Sequence, residues 1–205
     1  MTIIILVITV LVSIAGFQNR DWMAKLQFNA YLMKHANQWH RAITHAFVHS
    51  GWMHLFVNMW VLYLFGSSTE SFFSAYRGTI TGPMIYVALY IGGILFSSVS
   101  SYRKHQDNFN YNAVGASGAV SAVLFSAIYF TPTINLYLML IPIPIPAIVF
   151  GIGYLALEWY LAKNSDDFIA HDAHFWGAAF GFGFSVLMIP DQMSNFVFDI
   201  TERFF

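Results

Sequence analysis

Six apolar stretches, almost free of charged residues, alternate with more polar connections along the chain. Helical periodicity within them is uninformative, because a segment surrounded by lipid and protein is apolar on every side. This pattern predicts an all-α membrane protein with six transmembrane helices. The stretches run approximately over residues 2–17, 53–65, 83–101, 117–130, 147–162 and 173–190.

The fourth stretch, 117–130, is too short to cross a bilayer by itself. A full crossing takes about 20 residues, whereas this stretch covers only about 20 Å at ~1.5 Å per residue. A short span has to lie in thinned membrane or be sheltered by neighbouring helices. We therefore expect a short central helix that begins below the membrane surface and leaves a pit above its first turn.

Two connections have distinct characters. The first, 18–51, places tryptophans among lysines and arginines, which is typical of a segment at the membrane interface. The second, 141–146, alternates isoleucine with proline and must be extended, because each proline moves the preceding residue out of the helical region. The chain has no repeat or low-complexity tract, so we expect a single domain over residues 1–205.

The composition supports a bilayer as the solvent of this chain. It is 58% hydrophobic and only 9% charged, against about 25% charged residues in a soluble domain. A net charge of -1 argues against nucleic acid as a partner. The absence of cysteine excludes disulfides, thiol nucleophiles and cysteine-bound zinc. Because the first cation is Arg20 and no convincing cleavage site precedes it, we interpret stretch 2–17 as a retained span.

Polar groups inside membrane spans are costly, and each is a candidate for function. The sequence Gly115-Ala116-Ser117-Gly118 opens the fourth helix. A serine at a helix N-terminus lies beside free backbone donors, which suits a nucleophile next to an oxyanion hole. The alternative is a capping serine flanked by glycines that pack against another helix.

His174 opens the sixth helix beside a row of small residues at four-residue spacing. A matching row follows Ser117 on the fourth helix, and packing of the two rows would bring Ser117 and His174 within hydrogen-bonding reach. The alternative for His174 is a cap or a member of a polar network. The two rows are Ala173, Gly177 and Gly181, and Gly118, Ala122 and Ser126.

A third cluster surrounds the start of the second helix. His54 and Asn58 lie four residues apart on one helix face, and both can donate hydrogen bonds to an oxyanion. His45 and His49 have the spacing of a metal pair, but no glutamate accompanies them as in His-Glu-x-x-His. We favour a bracing role for these two histidines over metal binding.

Taken together, these residues resemble the rhomboid family of intramembrane serine proteases, over roughly 39–190. The resemblance implies that Ser117 attacks the scissile carbonyl, that His174 takes its proton, and that no metal or other cofactor takes part. Oxyanion or substrate stabilisation would come from His54, Asn58, Gly115 and the Ser117 amide. Supporting roles would fall to Arg41, Glu70, Gly118, Gly177 and Gly181.

The family also implies partners and a location. Rhomboid substrates are typically single-span membrane proteins, and a bacterial inner membrane is the expected site. The family uses a dyad, so Asp172 is assigned no catalytic role. Some rhomboids carry a tyrosine four residues after the nucleophile, where this chain has Ser121, and Phe125, Phe175 or Trp176 could fill that space.

The orientation in the membrane is predicted differently by two arguments. Cations are concentrated in the connections after spans one, three and five, so the positive-inside rule places the N-terminus outside. Six-span bacterial rhomboids keep both termini in the cytoplasm, and we favour that placement because Arg41 and its neighbours suit interfacial or bracing roles.

Three other functions stay open at this stage. Inactive rhomboid-like proteins bind membrane clients without cutting them, but usually lack the serine or the histidine. A histidine-box metalloenzyme could use His45, His49, His54 and His171, although paired histidine clusters are missing. A transporter could use histidine and asparagine within its spans, but has no need of the Gly-x-Ser-Gly motif.

Overall fold

The computed structural model describes residues 1–138, 141–165 and 170–205. Within them the fold is all-α apart from one short hairpin, as predicted. Its elements are α1 (Thr2–Gln18), α2 (Arg20–Leu26), α3 (Ala30–Ala36), α4 (Arg41–Thr44), α5 (Trp52–Arg77), α6 (Thr81–His105), α7 (Ser117–Phe130), β1 (Asn135–Leu138), β2 (Ile141–Pro146), α8 (Ala147–Asn164), α9 (His171–Met188) and α10 (Gln192–Phe204).

Helix α7 lies at the centre of the bundle. Every residue from Gly118 to Phe130 is buried, and the helix packs against α5, α6 and α9. Protein rather than lipid therefore surrounds it, which explains how a helix of 14 residues is stable there. The predicted short central helix is present, with Ser117 as its first residue.

Small residues set the close packing of α7 against α9. A Cβ on Gly177 would overlap the Gly118 carbonyl, and one on Gly181 would overlap the Ala122 carbonyl. Further along the same contact, the Ser185 hydroxyl donates to Ser126 Oγ at 2.6 Å. The predicted contact between the two rows of small residues is therefore formed, and it holds the first turns of α7 and α9 side by side.

The connection between α1 and α5 is ordered by three short helices and a 3₁₀ turn at His45–Phe47. Asn19 and Asn29 cap α2 and α3 through side-chain oxygens that accept from backbone amides. Phe28 and Ala113 exchange backbone hydrogen bonds of 2.9 and 3.2 Å. The first connection is thus tied to the loop that leads into Ser117.

Helix α5 continues well beyond its apolar stretch, to Arg77. Serines in the added turns return their hydroxyl groups to carbonyls of their own helix, as Ser71 and Ser74 do at 2.8 Å. These bonds satisfy the hydroxyl groups locally and let polar residues continue the helix.

The chain after α7 contains two elements that bear on the predictions. The alternating isoleucine–proline run is extended, as expected, and forms strand β2 antiparallel to β1. The amphipathic helix α10 lies beyond the last apolar stretch and was not predicted. It bends away from α9 by 118°.

Length and apolar composition identify one helix, α6, as a candidate membrane span among the described residues. The bent pair of α9 and α10 would count as a second if treated as one span, while α1 and α7 are apolar but shorter. The number of crossings therefore stays a prediction.

Candidate active site

Ser117 and His174 meet at the adjoining first turns of α7 and α9. The distance between Ser117 Oγ and His174 Nε2 is 2.7 Å, within the normal range for a hydrogen bond. The pairing follows from the helix contact, because Gly118, next to Ser117, and Gly177, three residues after His174, let the two backbones approach. A hydroxyl that donates to an imidazole in this way can be activated as a nucleophile.

The turn before Ser117 depends on the glycine at position 115. Gly115 has a φ of 117°, in the region that favours glycine. A Cβ there would lie 2.6 Å from the His54 ring. Its amide donates to the His45 carbonyl at 3.0 Å, so it is already engaged. The conformation of Gly115 thus shapes the turn, and its predicted role in oxyanion or substrate stabilisation stays a prediction.

His49 braces the same turn from the other side. It is fully buried, its Nδ1 lies 2.9 Å from Ser13 Oγ, and its Nε2 accepts from the Ala116 amide at 3.4 Å. Ser13 in turn donates to the Phe47 carbonyl, so Nδ1 carries the proton and Nε2 accepts. Burial lowers the pKa of His49 to about 3, in keeping with a neutral ring.

His45 holds the other end of this brace. Its Nδ1 donates to the Arg41 carbonyl at 2.8 Å, and its own carbonyl accepts from Gly115. Burial lowers the pKa of His45 to about 4. His45 and His49 therefore support the turn as neutral side chains, in agreement with the bracing role predicted for them.

His54 and Asn58 lie on α5 facing the start of α7. The His54 Nδ1 lies 2.9 Å from Ser50 Oγ and accepts weakly from the Ser50 amide at 3.5 Å. That arrangement leaves the proton on Nε2, the nitrogen beside Gly115. Asn58 donates one N–H to the His54 carbonyl at 2.9 Å, and its second N–H has no acceptor among the described residues.

Glu158 is the functional candidate that the sequence interpretation missed. It lies on α8, is only 7% exposed, and places Oε1 3.1 Å from His174 Nδ1. Its other oxygen, Oε2, lies 2.6 Å from His171 Nδ1. A signal was present, because Glu158 is an acid inside an apolar stretch, where any ionisable group marks a possible site.

The position four residues after Ser117 receives a tyrosine from another helix. The Tyr154 hydroxyl on α8 lies 2.9 Å from Ser121 Oγ. The Tyr154 ring also contacts Phe125, at 5.8 Å between centroids. Phe175 and Trp176, the other rings considered for this space, contact each other. Tyr154 thus supplies a phenol that the sequence alone did not assign.

A cavity of about 700 Å³ adjoins Ser117 and His174. Its lining residues form a polar group around Ser117 and His174 and an apolar group. The polar group includes Ser50, His54, Asn58, Ser117, Ser121, Tyr154, Glu158 and His174, and the apolar group includes Val57, Val61, Val120, Leu124 and Phe150. A peptide segment with an apolar side chain would find matching surfaces here.

Comparison with known proteins decides the family. The profile of the Rhomboid domain matches residues 36–191, close to the range over which the sequence showed a resemblance. The chain belongs to the rhomboid family. Rhomboid domains are integral to membranes, so this chain is an integral membrane protein.

Two relatives of this rhomboid chain are eukaryotic. It is 32% identical over 155 residues to RHOMBOID-like protein 12, mitochondrial, of Arabidopsis thaliana, covering 68% of this chain and 44% of the relative. It is 31% identical over 145 residues to Presenilin-associated rhomboid-like protein A, mitochondrial, of Danio rerio, covering 66% and 34%. The chain spans less than half of either relative. Both are mitochondrial by name, so neither supports the expected bacterial membrane.

The remaining predicted supporting residues of this rhomboid lie away from the reacting atoms. Arg41 donates to the carbonyls of Ala24 and Gln27, both at 2.7 Å, and so ties α4 to α2. Glu70 accepts from the amide and hydroxyl of Thr2 at 2.8 and 2.9 Å. Arg41 therefore stabilises the first connection, and Glu70 joins α5 to the start of α1.

Possible metal ligands come together in a different set from that of the histidine-box alternative. In the described part of the chain, Glu158, His171 and His174 offer ligand atoms within 4.8 Å of one another. Of the four histidines of that alternative only His171 belongs to this set, and His45, His49 and His54 do not, which argues against a histidine box. The hydrogen bonds from both histidines to Glu158 account for the cluster without an ion.

Proposed function

We propose that this rhomboid is an intramembrane serine endopeptidase with Ser117 as nucleophile and His174 as general base. The observation that carries the proposal is the 2.7 Å contact between Ser117 Oγ and His174 Nε2, at the edge of a cavity that also contains His54 and Asn58. A packing serine needs neither a histidine acceptor nor a cavity beside it.

The acylation step follows from this arrangement. Ser117 Oγ bonds to the scissile carbonyl carbon while its proton passes to His174 Nε2. The resulting oxyanion accepts hydrogen bonds from the Ser117 amide, His54 Nε2 and Asn58 Nδ2, which strengthen as its charge develops. Collapse breaks the carbon–nitrogen bond, and His174 returns the proton to the leaving amine.

Deacylation uses the same groups in reverse. A water molecule gives a proton to His174 Nε2 and attacks the acyl carbon, and the ester bond to Ser117 then breaks as Ser117 regains the proton. The polar lining of the cavity suits entry of this water. The first turn of α7 supplies the Ser117 amide, which has no acceptor among the described residues.

The proposed substrates are membrane proteins, cut within or next to a transmembrane segment. A regular helix hides its carbonyl groups in its own hydrogen bonds, so a cleavable segment has to unwind locally. The apolar residues of the cavity, including Val57, Val120 and Phe150, can replace lipid contacts of an unwound segment. We propose single-span proteins as the main class, because one free helix can approach the bundle from the side.

The membrane topology is part of the proposal. Six crossings by α1, α5, α6, α7, α8 and α9 fit a bundle in which α7 is enclosed by its neighbours. Two of the four Lys and Arg residues of the first connection are engaged in bracing contacts: Lys34 lies 2.8 Å from Asp107, and Arg41 donates to backbone carbonyls. This weakens their value as an orientation signal and supports a site that opens to the non-cytoplasmic side.

The test uses the purified full chain, its Ser117→Ala variant and a model single-span substrate. Wild type should cleave the substrate and react covalently with a fluorophosphonate, and Ser117→Ala should do neither. Cleavage by Ser117→Ala at the wild-type rate contradicts the proposal. Activity that is lost on chelation, without serine labelling, indicates a metalloenzyme. A folded wild type that shows neither cleavage nor labelling indicates an inactive rhomboid-like binding protein.

A further inference from the structure

We propose that Glu158 is a positioning residue that completes a Ser117–His174–Glu158 triad, in place of a simple serine–histidine dyad. The inference rests on the proposed function, because it assigns Glu158 a task only if His174 acts as a base. It begins from the two hydrogen bonds that a single buried carboxylate accepts from His174 and His171.

The first step concerns the tautomer of His174. An ionised carboxylate can only accept hydrogen bonds, so His174 Nδ1 must carry a proton to bond with Glu158 Oε1 at 3.1 Å. Nε2 of the same ring is then unprotonated. That nitrogen faces Ser117 Oγ at 2.7 Å and is able to accept its proton. Glu158 thus selects the tautomer that can act as a base.

The second step concerns the charge that forms during the reaction. When His174 takes the proton from Ser117, its ring becomes an imidazolium. The negative charge of Glu158 lies against Nδ1 of that ring and stabilises it, and low exposure keeps water from screening the attraction. The effect falls on the transition state rather than on substrate binding, and so it should appear in kcat.

The third step concerns how Glu158 is held. Its Oε2 accepts from His171 Nδ1 at 2.6 Å, which fixes the plane of the carboxylate and leaves Oε1 for His174. Tyr154 lies one helical turn earlier on the same face of α8 and reaches Ser121 on α7. Helix α8 is therefore joined to the site by Tyr154 and by the carboxylate itself, as a positioning role requires.

Glu158, His171 and His174 could instead bind a metal ion together. An ion bound through His174 Nδ1 would displace the proton that now bonds to Glu158, and it would weaken His174 as a base. The two interpretations therefore predict opposite responses. Added Zn²⁺ inhibits the enzyme in the triad and supports activity in a metal site.

The experiment compares Glu158→Gln, Glu158→Asp and the matched control Asp172→Asn in the full-length protein. The Asp172 carboxylate accepts from the Ala173 amide at its own helix end and makes no contact with His174 in the part of the chain described. The measurements are kcat, KM, the rate of fluorophosphonate labelling and the melting temperature.

Glutamine can accept from only one of the two histidines and must present its amide group to the other. We expect Glu158→Gln to lower kcat and the labelling rate by roughly 10²- to 10⁴-fold with little change in KM. Glu158→Asp keeps the charge and should recover part of both rates. Asp172→Asn should match wild type. Added Zn²⁺ should inhibit wild type.

Three outcomes contradict the inference. A folded Glu158→Gln with wild-type kcat and labelling rate overturns it while the protease function stands. So does restoration of activity by metal after chelation. For the case in which Glu158→Gln does not fold, wild-type protein labelled with ¹⁵N-histidine gives the third readout. His174 should carry its proton on Nδ1, and a proton on Nε2 overturns the inference. Failure of the proposed function itself is recognised separately, by Ser117→Ala that still cleaves.

Discussion

Histidines approach Ser117 from two sides, and the two sides differ in their partners. On the first connection, His45 and His49 bond to backbone groups and to a serine hydroxyl. On α9, His171 and His174 both donate to the Glu158 carboxylate. A buried histidine without an acid stays neutral and serves as a support, whereas one with an acid beside it can take up a proton. The hydrogen-bonding partner, rather than the residue type, therefore distinguishes a structural histidine from one that can act as a base.

The largest expected effect comes from His174→Gln, which removes the base and keeps a polar side chain of similar size. We expect cleavage to fall on the order of 10⁴-fold or more, while the melting temperature stays close to that of wild type. Cleavage assays and thermal unfolding on the same preparation measure both. A His174→Gln protein that is less stable, but whose folded fraction cleaves at the wild-type rate, would contradict this contrast. His174 would then be a structural residue like His45 and His49.

The second largest effect is expected at the contact between α7 and α9, which holds Ser117 next to His174. Gly177→Ala places a methyl group against the Gly118 carbonyl, and we expect a loss of about 1–3 kcal/mol in stability together with a strong loss of activity. The matched control is Gly183→Ala on the same helix, where a Cβ has nothing within 4 Å. Equal melting temperatures for the two variants would contradict the packing argument.

On the scaffold side, His49→Ala should mainly affect stability. It leaves the buried Ala116 amide without its acceptor, at a cost of about 1–3 kcal/mol. The labelling rate of the folded fraction should change far less than in His174→Gln. Ser13→Ala removes the contacts of Ser13 with His49 Nδ1 and with the Phe47 carbonyl but leaves the Ala116 amide its acceptor, and it should cost less. A His49→Ala protein that keeps wild-type stability but loses all labelling would place His49 in the chemistry.

The smallest expected effect is on the pH dependence of unfolding. The pKa of His49 is lowered by burial to about 3 in the folded protein, against about 6.5 in the unfolded chain. Between these values the unfolded state binds the extra proton. Stability is therefore complete above about pH 6.5 and falls as the pH drops below it.

The expected loss at pH 6 is about 1 kcal/mol or less for each such histidine, and His45, with its pKa lowered to about 4, adds to that of His49. Thermal unfolding at pH 7.5 and pH 6 measures it. His49→Phe should show a weaker dependence on pH than wild type. Greater stability at pH 6 than at pH 7.5 would contradict the neutral state of these rings.

The sequence was informative where a local pattern determines the structure. Ser117 and His174 could be paired because small residues at four-residue spacing allow two helices to touch. The start of α7 at Ser117 and the extended isoleucine–proline run followed from glycine and proline alone. Contacts between residues far apart in the sequence could not be predicted in this way. Which helix supplies a phenol next to Ser121 depends on how α8 packs, and Tyr154 lies 33 residues further along the chain.

The omissions have physical causes as well. Glu158 was overlooked because one acid hardly changes the mean hydropathy of its stretch, although its burial there is its most informative property. Helix α10 was overlooked because its polar face makes it unlike a membrane span. The bond from the Gly115 amide to the His45 carbonyl could not be predicted, because the two residues lie 70 positions apart in the sequence.

The enclosed helix α7 also sets the position of Ser117. Its far end is fixed, since Gln192 donates to the Phe130 carbonyl at 3.1 Å and Tyr129 donates to the Ile189 carbonyl at 2.7 Å. The number of residues in α7 then decides how far Ser117 lies from that anchor. One inserted residue would raise Ser117 by about 1.5 Å and rotate it by about 100°, away from His174. A change of length within α7 should therefore separate Ser117 from His174.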